Sequence, residues 1–189
     1  MNPATTAPVK LTYDDFLLFP DDGMRHEIID GVHYVTPSPN FKHQIVMGNL
    51  YLALGSYLKA QPIGVACFAP LDVLFSPFDV VEPDLLYISK VRRAVITEKN
   101  IQGAPDLVVE ILSRGTRKRD ETVKRALYER GDVQEYWLVD PARDAVKVFR
   151  RTAGAFVCAV ELQAEDDTLT TPLLPDFSVT LAEIFAPAL

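Results

Sequence analysis

The chain has 189 residues, 48% hydrophobic and 24% charged, a balance that suits one globular domain around a single core and excludes a chain dominated by disorder. A net charge of −7 excludes a uniformly basic surface that grips nucleic acid indiscriminately, because phosphate contacts dominate that affinity. No apolar run reaches the length of a membrane span, and residues 1–10 lack the charged start and apolar stretch of a secretory signal, so a cytoplasmic protein with no membrane partner is expected.

In chain order, residues 1–10 are expected to form a flexible N-terminus and residues 11–189 a single domain. Thr12 and Asp15 ahead of Phe16, Leu17 and Leu18 have the spacing of a capping box, and the short helix they start ends at Pro20. Asp30-Gly31 between the apolar residues Ile28-Ile29 and Val32 predicts a hairpin through a turn with positive φ at both central positions, with Glu27 on its first strand. Val46, Leu50, Leu54 and Leu58 recur every four residues and mark one face of a helix running to about residue 60, with His43 one turn upstream.

Short apolar stretches over 63–69, 71–75 and 80–88 read as successive strands separated by Pro70 and Pro77. A further strand is expected over 106–112. Helical spacing through Asp120, Lys124 and Tyr128 follows and stops at Gly131, and then come strands over 135–140, 145–150 and 155–161. Thr180 and Glu183 predict a second capped helix. Cys67 and Cys158 lie far apart in strand-like stretches, which suits two buried thiols rather than a disulfide framework or a zinc cluster. The order predicts an α/β fold: a mixed central sheet flanked by helices, with an N-terminal hairpin and a C-terminal antiparallel extension.

Two carboxylates interrupt the apolar pattern. Strand alternation over 80–88 places Glu82, Asp84 and Leu86 on one face, and over 106–112 it places Glu110 with Asp106, Val108 and Leu112. A carboxylate forced against a core needs a cation, a donor or a raised pKa. A metal between the two acids answers that need; so would a turn capped by Asp84 and an Arg114 partner for Glu110. Asp120, Lys124 and Tyr128 form one helical stripe that can bring Lys124 back to Glu110, or leave it in an exposed pair with Asp120. Residues 114–130 hold seven basic side chains against three acidic ones, a local net of +4 that leaves −11 for the rest. Such a segment can steer a polyanion or can be a solvated helix face. No phosphate-binding glycine loop or serine elbow is visible, so no nucleotide cofactor is expected.

Glu82-Pro83-Asp84, the run Pro105-Asp106-Leu107-Val108-Val109-Glu110-Ile111-Leu112-Ser113, Asp120 with Lys124, and Glu135-Tyr136-Trp137-Leu138-Val139-Asp140 resemble the Uma-type endonuclease family, a branch of the PD-(D/E)XK, or restriction-endonuclease-like, superfamily. Glu27-Ile28-Ile29-Asp30-Gly31 and His43 match its early landmarks, and the resemblance covers residues 11–185. It implies a metal-dependent endonuclease acting on nucleic acid, with DNA the expected substrate and a homodimer the expected assembly. Asp84 and Glu110 would bind Mg²⁺, with Mn²⁺ as substitute. Lys124, Glu27 and His43 would complete the catalytic set, and Arg114, Arg117, Lys118 and Arg119 would meet the phosphate backbone. The chain departs from the superfamily at Leu112, where a lysine is usual two residues after the second acid; Lys124 is the replacement the helix offers. That departure keeps a second reading open, a nuclease-fold module for nucleic-acid binding or dimerisation without turnover. A third is a metal-free structural protein whose acids are satisfied by arginines.

Overall fold

The computed structural model describes residues 9–188. Of the expected N-terminal segment, residues 1–8 lie outside them. Lys10 is fastened rather than loose: its ammonium meets Asp30, and Leu11 donates its N–H to Gly31 O at 2.9 Å.

Helix α1 (Tyr13–Phe16) starts at Thr12 with both halves of the capping box formed. Strands β1 (Arg25–Ile29) and β2 (Val32–Thr36) make the hairpin, with Asp30 and Gly31 at φ 53° and 76° as its turn requires. A Cβ at Gly31 would also collide with Lys10. Helix α2 (Phe41–Ala60) buries Val46, Leu50, Leu54 and Leu58, the predicted stripe.

Strands β3 (Gly64–Phe68), β4 (Val73–Ser76), β5 (Asp79–Val81) and β6 (Leu85–Ser89) follow. The strand expected over 80–88 is therefore two strands in two sheets. Pro83 has no N–H to give a ladder, and the chain crosses from one sheet to the other at Glu82-Pro83-Asp84. Glu82 and Asp84 accordingly do not share a strand face.

A 3₁₀ helix (Lys90–Val95) and the short β7 (Ile101–Gln102) lead into β8 (Leu107–Ile111). The next helix is continuous but not uniform: α3 (Arg117–Arg119), a π-helical turn (Asp120–Lys124) and α4 (Arg125–Arg130). Gly131 ends it at a place where a Cβ would strike the Phe75 ring, and Asp132 rather than the glycine takes the positive φ, 67°. Strands β9 (Glu135–Asp140), β10 (Ala145–Thr152) and β11 (Ala155–Leu162) form the antiparallel extension. Then come β12 (Thr168–Thr170), β13 (Ser178–Thr180) and the Thr180-capped α5 (Leu181–Ile184).

The central sheet has six strands in the order β11-β10-β9-β8-β6-β3, mixed because β8 and β9 are parallel and joined by the helical crossover. A five-stranded sheet, β2-β1-β5-β4-β7, stands beside it, and β12 pairs with β13. The second sheet is not legible in the sequence, because its strands are short and come from two separate stretches, 25–36 and 73–102.

The β8 alternation divides the interior. Leu107, Val109 and Ile111 join Leu50, Leu54, Trp137 and Phe177 in one core, while Val108 and Leu112 join Ile29, Val73, Leu127, Tyr136 and Leu138 in another. Each fully buried side chain of this size stabilises the fold by about 1.5–3 kcal/mol relative to exposure. Glu110 lies on the second face, flanked by two apolar residues of the same strand. The two thiols are not both buried: Cys67 is partly covered, and Cys158 is exposed because β11 is the outermost strand of its sheet. Among the described residues, no helix is long and apolar enough to cross a membrane.

Candidate active site

Side chains from five elements meet around Asp84 and Glu110. Asp84 stands at the start of β6, released from the ladder by Pro83. Its Oδ1 accepts from Arg25 Nη1 at 2.7 Å; its Oδ2 faces His43 Nε2 at 3.1 Å and accepts the Ile111 backbone N–H at 2.8 Å. Burial opposes its ionisation, but the His43 hydrogen bond and charge, with Arg25 and the Ile111 N–H, outweigh it and hold the carboxyl at about 2. His43 is fixed in the first turn of α2, where its own N–H is capped by Asn40 Oδ1 at 3.0 Å. Asp84 therefore does not serve as a turn cap.

Glu110 finds its partners on the crossover helix, not in Arg114. Its Oε1 accepts from Lys124 Nζ at 2.9 Å and from the Tyr128 hydroxyl at 2.5 Å. Lys124 Nζ also lies 2.7 Å from Glu27 Oε1 on β1, which in turn accepts the Glu82 N–H at 3.0 Å. Lys124 is 3% exposed, so the alternative of a solvated pair with Asp120 does not hold. Burial lowers the pKa of Lys124, yet the carboxylates of Glu110, Glu27 and Asp120 more than reverse this, and the ammonium stays charged. The π turn sets Asp120, Lys124 and Tyr128, all buried, on the side facing β8 and β1. Such turns are wide enough to redirect side chains and recur at functional sites.

These carboxylates are under-neutralised. Burial, resisted by Lys124, drives Glu110 up to about 8; burial likewise lifts Asp120 to about 6 and Glu82 to about 7. Glu27 Oε2, Asp120 Oδ1 and His43 Nδ1 are buried without a hydrogen-bond partner among the described residues. All five expected catalytic side chains, Asp84, Glu110, Lys124, Glu27 and His43, line one cavity of about 290 Å³.

The oxygen-rich donor set and the two orphaned carboxylate oxygens fit a hard divalent cation. Mg²⁺ takes oxygen ligands, uses one or two carboxylates and keeps several waters. Among the described residues no three His, Cys, Asp or Glu side chains stand close enough to grip a metal alone, so water would complete the shell.

The basic segment divides. Arg114 and Arg119 line the cavity; Arg117 and Lys118 do not. Arg119 lies over the Tyr34 ring at 5.3 Å, reaches Thr36 Oγ1, and is 3.7 Å from Glu27 Oε2. Arg117 turns instead to Asp140 at 2.7 Å and Glu121 at 3.5 Å, in a second cavity on the β9–β10 side. Lys118 is solvent-exposed. The +4 segment is thus no continuous patch, because its central charge, Lys124, is inside.

Sequence reasoning missed Arg25, Tyr128 and Asp120 as members of the site. Arg25 was within reach, since it precedes Glu27 by two residues and so shares its strand face. Tyr128 was recognised in the Lys124 stripe but given no partner.

The fold is similar to that of a protein from Anabaena variabilis described as a "putative nuclease belonging to DUF820", with a TM-score of 0.78 and 23% sequence identity over 94% of this chain and 98% of that one. At that identity the likeness establishes the architecture alone. Among curated proteins, none matches the chain. Residues 13–182 match the family Uma2, described as "Putative restriction endonuclease", and the chain belongs to that family.

Proposed function

We propose that the protein is a Mg²⁺-dependent endonuclease that hydrolyses phosphodiester bonds of DNA. The observation that carries this reading is the pairing of Asp84 and Glu110 on adjacent strands with buried, charged Lys124 in one open cavity. Asp84 and Glu110 would hold the cation, with the unpartnered oxygens of Glu27 and Asp120 binding it directly or accepting from its waters. When bound, a divalent cation acidifies water and neutralises charge on a phosphoryl oxygen.

The chain's own groups supply the rest. Arg25 and His43 orient Asp84 and keep it ionised, leaving it ready as an oxygen donor. Tyr128 and Lys124 fix one oxygen of Glu110, so the other is the one left to turn towards a ligand. Lys124 keeps a full positive charge where a phosphoryl group gathers negative charge, the electrostatic role of the lysine missing at Leu112. Arg114 and Arg119 position the phosphate backbone without reading bases.

One observation favours a second reading, a nuclease-fold binding module without turnover: Lys124 Nζ already spends its bonds on Glu110 and Glu27. The two are separated by incubating plasmid and single-stranded DNA with the protein in Mg²⁺, Mn²⁺ or chelator. Metal-dependent cutting lost in Asp84→Asn supports the enzyme. DNA binding without cutting under every metal condition supports the module and sinks the proposed activity.

A further inference from the structure

The β1–β2 hairpin carries acid-site residues on one face and a different cluster on the other. Arg25 and Glu27 point into the cavity, so His26 between them points away. In the hairpin register His26 faces Val35 and Ile28 faces His33, which makes the two histidines diagonal neighbours on one face. Their rings lie nearly parallel, 10° apart with centroids at 5.2 Å, and His26 Nδ1 is 2.9 Å from His33 Nε2. His26 Nε2 is 3.0 Å from Asp22 Oδ1, which itself accepts the Met24 N–H at 2.9 Å. Phe19 packs against His33 with the rings tilted by 34° and centroids 4.2 Å apart.

The Asp22 contact fixes the tautomer. A carboxylate accepts, so in neutral His26 Nε2 carries the proton and Nδ1 presents a lone pair to His33. This is the arrangement in which a metal-ligating histidine gives its second N–H to a carboxylate. A single proton, carried by His33 Nε2, then joins the two rings, and exchanging it for a cation leaves two imidazole donors within reach of one metal once the His33 ring turns.

The spacing selects the cation. With metal–nitrogen bonds of about 2.0–2.1 Å, two nitrogens 2.9 Å apart subtend about 90° at the metal. That is a cis pair in square-planar or tetragonal coordination, which imidazole offers to Ni²⁺ and Cu²⁺ ahead of tetrahedral Zn²⁺. His33 is exposed, so its ring has room to bring its lone pair onto the metal, and water can fill the open positions. The surroundings favour positive charge as well: residues 11–24 hold Asp14, Asp15, Asp21 and Asp22 and no lysine or arginine.

We propose that His26 and His33, oriented by Asp22, form a binding site for a late divalent transition metal, Ni²⁺ or Cu²⁺, separate from the acid cavity. A metal there clamps β1 to β2 and thereby the strand that carries Arg25 and Glu27.

The test is calorimetric titration of tag-free full-length protein with Ni²⁺, alongside the Asp84→Asn, Glu110→Gln double variant and that double variant carrying His33→Gln, His26→Gln or Asp22→Asn in addition. Three histidines occur in the chain, and His43 is present in every variant, so it cannot account for a loss caused by His33→Gln or His26→Gln. Expected are a saturable site in the acid-cavity double variant, where the proposed Mg²⁺ ligands cannot take up Ni²⁺, its loss on adding His33→Gln or His26→Gln, and weakening by about 10–100-fold on adding Asp22→Asn. Circular dichroism confirms that each variant is folded, and His33→Gln alone suffices if His26→Gln is not. No saturable Ni²⁺ binding in wild type overturns the proposal. Saturable binding that survives His33→Gln in the acid-cavity background, or that is absent from that background, overturns it equally.

Discussion

The Asp84 carboxylate accepts the backbone N–H of Ile111 at 2.8 Å, a bond that ties the start of β6 to the end of β8 one residue after Glu110. The two acids are therefore positioned by the backbone of the central sheet as well as by side chains. Changing either acid should affect chemistry far more than fold. Asp84→Asn keeps an acceptor for Ile111 but loses the charge shared with Arg25 and His43. Metal-dependent cleavage should fall below detection while far-ultraviolet dichroism stays at wild type; cleavage at the wild-type rate would remove Asp84 from the site.

His43→Ala and Arg25→Ala leave both proposed ligands in place and remove what orients one of them. Metal affinity should weaken by about 10–100-fold in each, measured by Mn²⁺ titration. An unchanged affinity in both would mean that Asp84 is not a ligand.

Lys124→Met removes the cation shared by Glu27 and Glu110 and leaves two buried carboxylates uncompensated. Breaking a buried pair from one side costs about 3–5 kcal/mol, so the urea midpoint should drop markedly. Saturating Mn²⁺ should recover part of the loss by neutralising the same oxygens. A midpoint equal to wild type would contradict the buried role of Lys124.

Stability without metal should depend on pH in a definite direction. Glu110 moves from an ordinary 4.5 to about 8 and Asp120 from 3.8 to about 6, both raised by burial. Between the unfolded and folded values the folded chain keeps protons that the unfolded chain has lost, so folding stability falls as pH rises from about 4.5 to about 8. Asp84, lowered from 3.8 to about 2, works the other way, and its contribution is lost only as pH falls below about 4. Urea unfolding in chelator should therefore give a lower midpoint at pH 8 than at pH 5, and Mn²⁺ should narrow the difference. A midpoint that rises over that interval, with or without metal, would contradict under-neutralised acids.

Charge reversal separates the arginines. Arg119→Glu should weaken DNA binding and reduce its salt slope, since Arg119 lines the cavity. Arg117→Glu should leave the salt slope near wild type, because this side chain is committed to Asp140 and Glu121. Equal losses in filter binding across a salt series would mean that the DNA path covers both faces of the helix.

Much of this architecture was legible in the chain because local signals and burial agree. The Thr12 and Thr180 boxes, the Asp30-Gly31 turn and the Leu50-Leu54-Leu58 stripe each state their structure within a few residues. The break at Pro83 was harder to read, because Val80 and Val81 before it and Leu85 and Leu86 after it are equally apolar and only tertiary pairing assigns them to different sheets. In the site, Glu110 and Lys124 could be connected through alternation and helical spacing. The Arg25–Asp84 pair spans 59 residues and two sheets, and the π turn that carries Lys124 has no composition of its own. Arg117 illustrates the remaining gap: its ion pair with Asp140, on another strand, cannot be read from the basic run alone.

The most direct measurement is a Mn²⁺ titration of wild type and the Asp84→Asn, Glu110→Gln double variant, read by thermal unfolding and by cleavage of plasmid and single-stranded DNA. Stabilisation and cutting in wild type, both absent from the variant, are the predicted result. A wild-type protein that neither gains stability with Mn²⁺ nor cuts either substrate would contradict a catalytic metal at these carboxylates.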